Sequence, residues 1–191
     1  MIRAACMCGL LAVMTLVGCK NNNKKNIVMQ HKQNVVTEKD STVYGVCGTG
    51  TAMNTLELIA DNGDTVSYSL EYADREEAVE GGLSVGDRMA VVASGMIDDM
   101  PKATKVINLT SLLGKWSSLS ESFEICEGGG VKSEVKEPKT YTEWSICNGK
   151  LLLSADTFEV NSIGPDSMFL EKGGSVYGFR RMPGRNNGKN I

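Results

Sequence analysis

The chain has little of what catalytic and metal sites are usually built from. Its 191 residues include one histidine, His31, and aromatic residues make up only 6% of the sequence. A single histidine outside any folded segment rules out Ser-His and Cys-His nucleophile pairs and histidine-based zinc sites. No CxxC spacing occurs after the first 18 residues either. We therefore predict a protein that is not an enzyme and that uses no metal or cofactor.

Clustered positive charge is also missing. Residues 43–109 contain eleven acidic side chains against four basic ones, a net charge of −7. Phosphate backbones are bound by clustered lysine and arginine, so we predict no nucleic-acid partner. The glycine runs at 48–50 and 128–130 lack the Gly-Lys-Ser/Thr continuation of a phosphate loop and are interpreted as turns. The acidic turn at 61–64 lacks the glutamate that closes a calcium loop.

The N-terminus carries the most informative pattern. An apolar run over residues 4–17 follows Arg3, and the sequence Leu-Val-Gly-Cys occupies positions 16–19. A basic start, an apolar core and small residues at its end are typical of an export signal. The run is shorter than the ~20 residues that a membrane-spanning helix needs. We predict a signal peptide over residues 1–18.

Residues 16–19 resemble the lipobox of bacterial lipoproteins. The resemblance implies that Cys19 receives a diacylglyceryl thioether, that the bond before it is cut and that the new amine is acylated. Two acyl chains anchor a protein stably, so we expect a protein held by lipid in the bacterial cell envelope, at the outer membrane. The alternative is an ordinary signal followed by a chance cysteine.

Residues 19–41 are predicted to form a flexible tether. Lys, Asn and Gln dominate this segment, and its apolar residues follow neither a strand nor a helix period. Such a segment buries too little surface to offset the entropy of ordering. His31 lies here, where no rigid element positions it beside a nucleophile.

From residue 42 onward the pattern is that of an all-β protein with two small antiparallel barrels. Short runs rich in Val, Ile, Thr and Leu alternate with Gly, Asn and Asp turns. We predict strands at 42–47, 53–60, 65–70, 88–94 and 104–110, and a short helix within 72–80 that Asp74 caps. Three strands, a short helix and two strands resemble the layout of an OB-type barrel, which assigns a first domain to 42–110.

A second domain is predicted over 111–182, followed by a disordered tail at 183–191. We predict its strands at 116–119, 122–126, 131–135, 140–147, 150–155, 157–162, 168–171 and 176–181. The short connections favour an up-and-down meander that closes into a barrel. Asn148-Gly149 is the strongest hairpin signal in the chain. The boundary near 110–113 leaves a short, partly buried linker, and we expect a fragment that starts at Ser111 to fold alone.

Six sequence features of this domain resemble the lipocalin-like lipoprotein domains of Bacteroidetes. They are Gly-x-Trp at 114–116, Glu-Trp at 143–144, the turn and strand at 149–154, Asp-Thr-Phe-Glu-Val at 156–160, Asp-Ser-Met at 166–168 and Phe-x-Arg at 179–181. The resemblance implies a barrel whose closed end is plugged by the tryptophan, with an arginine stacked on it. It also implies that an N-terminal barrel can precede this domain.

Trp116 matches the plug by position, while Arg180 and Arg181 compete for the second role. Alternation places Phe179 and Arg181 on the strand face that carries the large aromatic side chains. That face is the better candidate for the interior. We therefore predict that the guanidinium of Arg181 lies within about 6 Å of the Trp116 ring centroid.

The leading functional hypothesis is non-catalytic binding of a small or apolar ligand inside the lipocalin-like barrel. The alternative is a scaffold or accessory subunit that docks on another envelope protein through its β-domains. The residues expected to line a ligand cavity are Trp144, Leu151, Leu153, Phe158, Val160, Met168 and Leu170. A cavity there favours ligand binding, whereas a barrel filled by side chains, next to an exposed patch, favours docking.

Three cysteines follow Cys19 in a chain that we expect to reach an oxidising compartment. Cys126 and Cys147 both fall in the second domain, and the sequence leaves open whether they form a disulfide or stay as buried free thiols. Cys47 lies in a predicted strand and is interpreted as a small buried hydrophobic residue.

Overall fold

A computed structural model of the chain describes residues 39–71, 78–133 and 140–183. The predicted signal peptide, Cys19, His31, most of the tether, the start of the predicted helix and the tail beyond residue 183 lie outside these ranges. Within them, fourteen β-strands form two sheets and two short helices connect strands, which confirms the all-β class. No helix in these ranges is long and apolar enough to cross a membrane.

The first sheet closes into an OB-type barrel. Its strands are β1 (Val43–Cys47), β2 (Thr55–Ala60), β3 (Thr65–Ser69), β4 (Val79–Glu80), β5 (Arg88–Ile97) and β6 (Met100–Asn108). β1 lies between β2 and β5, and a parallel contact of β3 with β6 completes the order β1-β2-β3-β6-β5. This five-stranded barrel confirms the predicted OB-like architecture.

The predicted helix within 72–80 is wrong in its last part. Val79 and Glu80 form β4, which pairs in parallel with Val106 and Ile107 of β6. Residues 72–77 lie outside the described ranges. The acidic residues and glycines near 74–82 favour a helix locally. Pairing with β6, which is distant in the sequence, instead gives Val79 and Glu80 a strand conformation.

The second sheet is an eight-stranded antiparallel meander. Its strands are β7 (Gly114–Ser117), β8 (Ser122–Ile125), β9 (Val131–Ser133), β10 (Trp144–Cys147), β11 (Lys150–Leu153), β12 (Asp156–Ile163), β13 (Ser167–Lys172) and β14 (Ser175–Arg181). Their order is β10-β11-β12-β13-β14-β7-β8-β9, and a single bridge between Gly130 and Glu143 joins the two ends. All eight predicted strands are present, and the barrel is nearly closed.

The barrels meet at a shared hydrophobic core. They are connected by the short helix α1 (Leu109–Leu112), in which Leu112 has no exposed surface. Ala90 and Ile107 from the first barrel belong to the same buried cluster as the interior of the second barrel. The linker is therefore short and partly buried, and both barrels belong to one compact unit.

Two residues that the sequence assigns to the tether contact the second barrel. The backbone N–H of Ser41 donates to Oδ1 of Asn148 over 2.8 Å. The backbone N–H of Asn148 in turn donates to Oδ1 of Asp40 over 3.1 Å. Residues before β1 thus already contact the turn between β10 and β11.

We predict that a fragment beginning at Ser111 folds alone, because it contains all eight strands of the second barrel. We expect a lower melting temperature than for the full chain, because the fragment lacks Ala90, Ile107 and Leu109 from the shared core. Each fully buried aliphatic side chain contributes roughly 1.5–3 kcal/mol. Circular dichroism should show a cooperative transition. A disordered spectrum would show that the second barrel needs the first.

Candidate functional site

Six of the seven predicted ligand-lining residues lie in the core of the second barrel. Each of them has at most 3% of its surface exposed, and they pack in one cluster with the aromatic rings of Trp116, Phe123 and Phe179. The six are Leu151, Leu153, Phe158, Val160, Met168 and Leu170. These six residues pack against one another as a core, whereas Trp144, the seventh, is only partly buried.

The end of the second barrel that faces α1 is covered by Trp116 and Arg181. The guanidinium carbon of Arg181 lies 4.1 Å from the centroid of the Trp116 ring, whereas Arg180 points outward and is exposed. The indole N–H of Trp116 donates to the carbonyl of Leu112 over 2.9 Å. The structure thus confirms that Arg181, and not Arg180, stacks on Trp116.

Arg181 also ties three backbone segments together. Its guanidinium donates to the carbonyls of Ser111 (2.5 Å), Leu113 (2.6 Å) and Pro165 (2.7 Å). Burial lowers the pKa of this guanidinium, and the carbonyls and the indole face take the place of water around its charge.

Gly114 provides the space that this guanidinium occupies. The φ of Gly114 is +122°, and a Cβ at this position would lie 2.8 Å from Nη1 of Arg181. Only glycine satisfies both conditions, because other residues rarely adopt this backbone conformation. The glycine of the Gly-x-Trp pattern is therefore part of the arginine site.

Trp144 lies in a cleft between the two barrels. The cleft has a volume of about 370 Å³, and Trp144 is half-buried in it. It is lined by Tyr44 and Arg88 of the first barrel, Leu109, Thr110 and Leu113 of the linker, and Glu127, Gly128, Gly129 and Trp144 of the second barrel.

The aromatic side chains of this cleft have their polar atoms bonded to the backbone. The indole N–H of Trp144 donates to the carbonyl of Cys126 over 2.7 Å. The hydroxyl of Tyr44 donates to the carbonyl of Ile146 over 2.6 Å, and burial raises its pKa, so the phenol stays neutral. Both rings therefore offer carbon surface to the cleft, next to Leu109 and Leu113.

The charged side chain contributed by the first barrel is neutralised. Arg88 binds both carboxylate oxygens of Asp61, over 2.5 and 2.9 Å, and this bidentate contact lowers the pKa of Asp61. The backbone N–H of Arg88 donates to the hydroxyl of Thr110 at the cleft wall. The cleft thus combines an apolar floor with a polar rim.

The opposite wall is a loop whose shape depends on glycine. Gly128 and Gly129 have φ values of +75° and +85°, and a Cβ on Gly129 would lie 3.3 Å from the carbonyl oxygen of Trp144. The sequence predicts these residues as turn glycines without a binding role. Tyr44, Leu109 and Leu113 were not predicted as site residues, because their proximity to Trp144 arises only from the docking of the two barrels.

A wider groove of about 570 Å³ lies beside β4 of the first barrel and is also lined by Ser162 and Ile163 in β12 of the second barrel. Its wall includes the buried Glu80, which Lys105 binds over 2.8 Å while also donating to the carbonyl of Val160. None of the described residues that line this groove is aromatic. The cleft beside Trp144 is the better candidate for an apolar ligand, since it places two aromatic rings around one space.

Cys47, Cys126 and Cys147 are free thiols, so the bridge left open between Cys126 and Cys147 is not formed. Each of these two thiols has partners of its own. The thiol of Cys126 donates to the carbonyl of Glu124 over 3.7 Å, and burial followed by the nearby Asp40 carboxylate raises the pKa of Cys147. Cys47 is 1% exposed, as predicted for a small core residue.

The described residues hold no group of three or more His, Cys, Asp or Glu side chains that could bind a metal ion. Fold and cleft together define an all-β protein in which an OB-type barrel is docked on an eight-stranded meander barrel. No protein-family model, no curated protein and no solved structure matches the chain.

Proposed function

We propose that this chain is a lipid-anchored envelope protein that binds a small, largely apolar molecule without catalysis, in the cleft beside Trp144. The observation that carries the proposal is the pair of aromatic rings, Trp144 and Tyr44, whose polar atoms are already bonded to the backbone. The cleft volume of about 370 Å³ falls within the usual range of small-molecule sites.

The lining defines the class of ligand. An apolar ring or a short acyl segment would replace water on the faces of Trp144 and Tyr44 and on Leu113, and each Å² of apolar surface buried contributes roughly 25 cal/mol. Arg88 is the one cation among the described residues that line the cleft, and it is held by Asp61, so a free acid would find no unpaired cation among them. A neutral apolar molecule with a single polar end is the best match.

Two sequence resemblances support a lipid-anchored carrier of apolar compounds. The lipobox-like residues 16–19 place Cys19 where a lipid anchor would be attached, and the lipocalin-like features of the second domain suggest a carrier of apolar compounds. Such a carrier would work at the outer membrane, on the periplasmic side or facing outward, with the tether as spacer.

Replacing Cys19 by alanine is expected to abolish lipid attachment and to release the protein in soluble or unprocessed form. No other cysteine lies at the end of the predicted signal. Radiolabelled palmitate followed by membrane fractionation measures the effect. Cys126→Ala is the matched control and should keep the label. Label retained on the Cys19→Ala protein would contradict the anchoring proposal.

Ligand binding can be tested with the neutral fluorophore N-phenyl-1-naphthylamine and the full chain. We expect saturable fluorescence enhancement together with quenching of Trp144 emission. Leu113→Ser removes an apolar wall of the cleft and should weaken the affinity about tenfold, since burial of a leucine contributes roughly 1.5–3 kcal/mol. Leu119→Ser makes the same change at a fully exposed leucine and should leave the affinity unchanged.

Equal affinities for the two leucine variants, each with a wild-type circular dichroism spectrum, would refute the cleft as the binding site. Quenching of tryptophan emission distinguishes binding in the cleft from adsorption elsewhere, because Trp144 lines the cleft and Trp116 has no exposed surface.

Docking on another envelope protein is the second candidate. The packed interior of the second barrel supports it, because the six core residues named above leave that barrel to act through its surface. Native mass spectrometry of the full chain, purified in mild detergent, distinguishes the two candidates. A retained small molecule supports ligand binding, whereas a stoichiometric protein partner supports docking.

A further inference from the structure

A hollow of about 500 Å³ lies on the second barrel, where β7 ends beside β14. Residues of β7, β13 and β14 and of the loop after β7 line it. Arg180 is the one cation among these described residues, and none of them is acidic. The hollow and the cleft beside Trp144 share no lining residue, so each can be tested without the other.

Strand pairing places Arg180 between two serines. Arg180 lies opposite Ser117 on β7 and opposite Ser167 on β13. Opposite residues of antiparallel strands carry their side chains on the same face, with Cβ atoms about 4.5–5.5 Å apart. The hydroxyl of Ser117 makes only a long bond of 3.4 Å, to the carbonyl of Ser118. The guanidinium therefore has a hydroxyl group on either side that can donate to a ligand.

The guanidinium of Arg180 is itself without a protein partner. Arg180 is exposed, and its side chain makes no hydrogen bond or ion pair with any residue in the described ranges. The other two arginines of these ranges are occupied, since Arg88 binds Asp61 and Arg181 donates to three carbonyls. Arg180 thus keeps its donors for an anion from solution.

A backbone N–H adds a further donor. The N–H of Met182 donates to the carbonyl of Lys115, on the β7 side of β14. Backbone groups of alternate residues point to the same side of a strand, so the N–H of Gly178 also points to the β7 side. β7 pairs with β14 only at Arg180 and Arg181. The N–H of Gly178 consequently has no strand partner there within the described ranges.

Phe169 supplies an apolar surface beside these donors. It follows Ser167 as the next outward-facing residue of β13 and lies opposite Gly178. Its side chain is 44% exposed, and Cε1 of the ring lies 3.2 Å from the place that a Cβ of residue 178 would take. The missing side chain at position 178 therefore leaves room for the ring to extend over β14.

We propose that this hollow binds a phosphate monoester that carries an aromatic or short apolar group. The guanidinium of Arg180, the N–H of Gly178 and the two serine hydroxyls bind the phosphate oxygens, and the apolar group packs on the ring of Phe169. A phosphate group presents three terminal oxygens, which suits donors that come from three strands, whereas a carboxylate presents two oxygens in one plane. Arginine also binds phosphate through two parallel hydrogen bonds.

Phosphorus NMR of phenyl phosphate, added to the full chain in dodecyl maltoside, measures binding at the phosphate itself. We expect a saturable shift and broadening of its signal. Inorganic phosphate lacks the ring and should bind about tenfold more weakly, since the burial of apolar surface is lost. Dihexanoyl phosphatidic acid distinguishes the two sources of such a phosphate. Tighter binding than that of phenyl phosphate identifies a lipid headgroup, and weaker binding identifies a free phosphate ester.

Arg180→Gln should weaken the binding of phenyl phosphate at least tenfold, because hydrogen bonds to charged groups are the strong ones. Its circular dichroism and urea midpoint should stay those of the wild type, as for most exposed substitutions. Lys132→Gln is the matched control. It removes one positive charge from the same barrel, at a side chain that is 73% exposed, and should keep the affinity.

Phe169→Ala tests the apolar surface separately. It should weaken the binding of phenyl phosphate about fivefold, because the phenyl group loses its apolar contact, and it should leave the binding of inorganic phosphate unchanged. An equal loss for both phosphates would show that the ring of Phe169 does not contact the ligand, which would contradict the proposed site.

Three further results would overturn the proposal. One is the absence of a saturable change up to about 10 mM phenyl phosphate, a range in which weak sites are still detected. Another is an equal affinity of Arg180→Gln and Lys132→Gln, which would show binding to surface charge in general. The third is an equal affinity of the wild type for phenyl phosphate and inorganic phosphate.

Discussion

Replacing Trp116 by alanine is expected to destabilise the protein by roughly 3–5 kcal/mol, the usual cost of truncating a buried tryptophan. The indole has no exposed surface, donates to the carbonyl of Leu112 and lies against the guanidinium of Arg181. Its removal leaves a cavity at the end of the barrel, an unpaired carbonyl and a cation without its aromatic partner. Urea denaturation followed by circular dichroism measures the loss.

Arg181→Ala should also be clearly destabilising, by about 2 kcal/mol, because the partly shielded cation–π contact is worth about 0.5–2 kcal/mol. Its three bonds to backbone carbonyls are lost in the same step. Arg180→Ala is the matched control and should stay within about 0.5 kcal/mol, as exposed substitutions usually do.

Equal effects of the two arginine substitutions would show that the guanidinium is not part of the fold. Gly114→Ala offers a second test of the same contact, because a Cβ at this position meets Nη1 of Arg181. A wild-type stability of Gly114→Ala would contradict the close approach on which the argument rests.

The strands of the second barrel could be predicted because their information is local. Asn148 and Gly149 have φ values of +47° and +76°, and Gly173 and Gly174 have +59° and +78°. The residue types of these two short turns therefore fix the hairpins β10–β11 and β13–β14. Alternation along β14 then identified Arg181, because the period of a strand holds over its whole length.

The candidate cleft could not be predicted in the same way. Tyr44 and Trp144 are a hundred positions apart in the chain, and they approach only because the linker leucines and Ile107 join the core of the second barrel. The residues predicted to line a ligand cavity have the alternation of interior residues. That pattern is the same for a packed core and for an open cup.

The helix predicted within 72–80 is wrong in its last part because it was inferred from local signals alone. Its capping residues are genuine local signals, yet Val79 and Glu80 join a sheet because the edge of β6 is available to them. Glu80 then finds Lys105 as a partner in the folded barrel. Helix propensities differ by a few tenths of a kcal/mol to about 1 kcal/mol per residue. Tertiary contacts of this kind outweigh such differences.

Asn108→Ala is expected to destabilise the junction of the two barrels by roughly 3 kcal/mol. Asn108 is fully buried, and its side-chain amide donates to Asp87 (2.7 Å) and to the carbonyls of Gly81 and Gly82 (3.2 and 3.1 Å). Its Oδ1 accepts the N–H of Ser111 and caps α1. Each buried group left without a partner costs roughly 1–3 kcal/mol, and loss of the cap costs about 1 kcal/mol more.

Asn108→Asp keeps the cap but turns a carboxylate toward Asp87 and the glycine carbonyls, so at neutral pH it should be at least as harmful as Asn108→Ala. Burial and repulsion raise the pKa of this carboxyl in the folded state. The destabilisation caused by Asn108→Asp is therefore complete above the raised folded pKa. It decreases as the pH falls below that value and vanishes below the unfolded pKa of ~4. Asn161→Ala, at an exposed asparagine, is the matched control and should have little effect.

The readout of Asn108→Ala decides whether the two barrels unfold together. Both tryptophans, Trp116 and Trp144, lie in the second barrel, whereas most partners of Asn108 lie in the first. A shared core predicts that tryptophan fluorescence and circular dichroism shift to lower urea by the same amount. A fluorescence transition that stays at its wild-type midpoint while the circular dichroism transition moves would show that the barrels are energetically independent. The core around Ile107 and Leu112 would then be a contact surface and not a common folding unit.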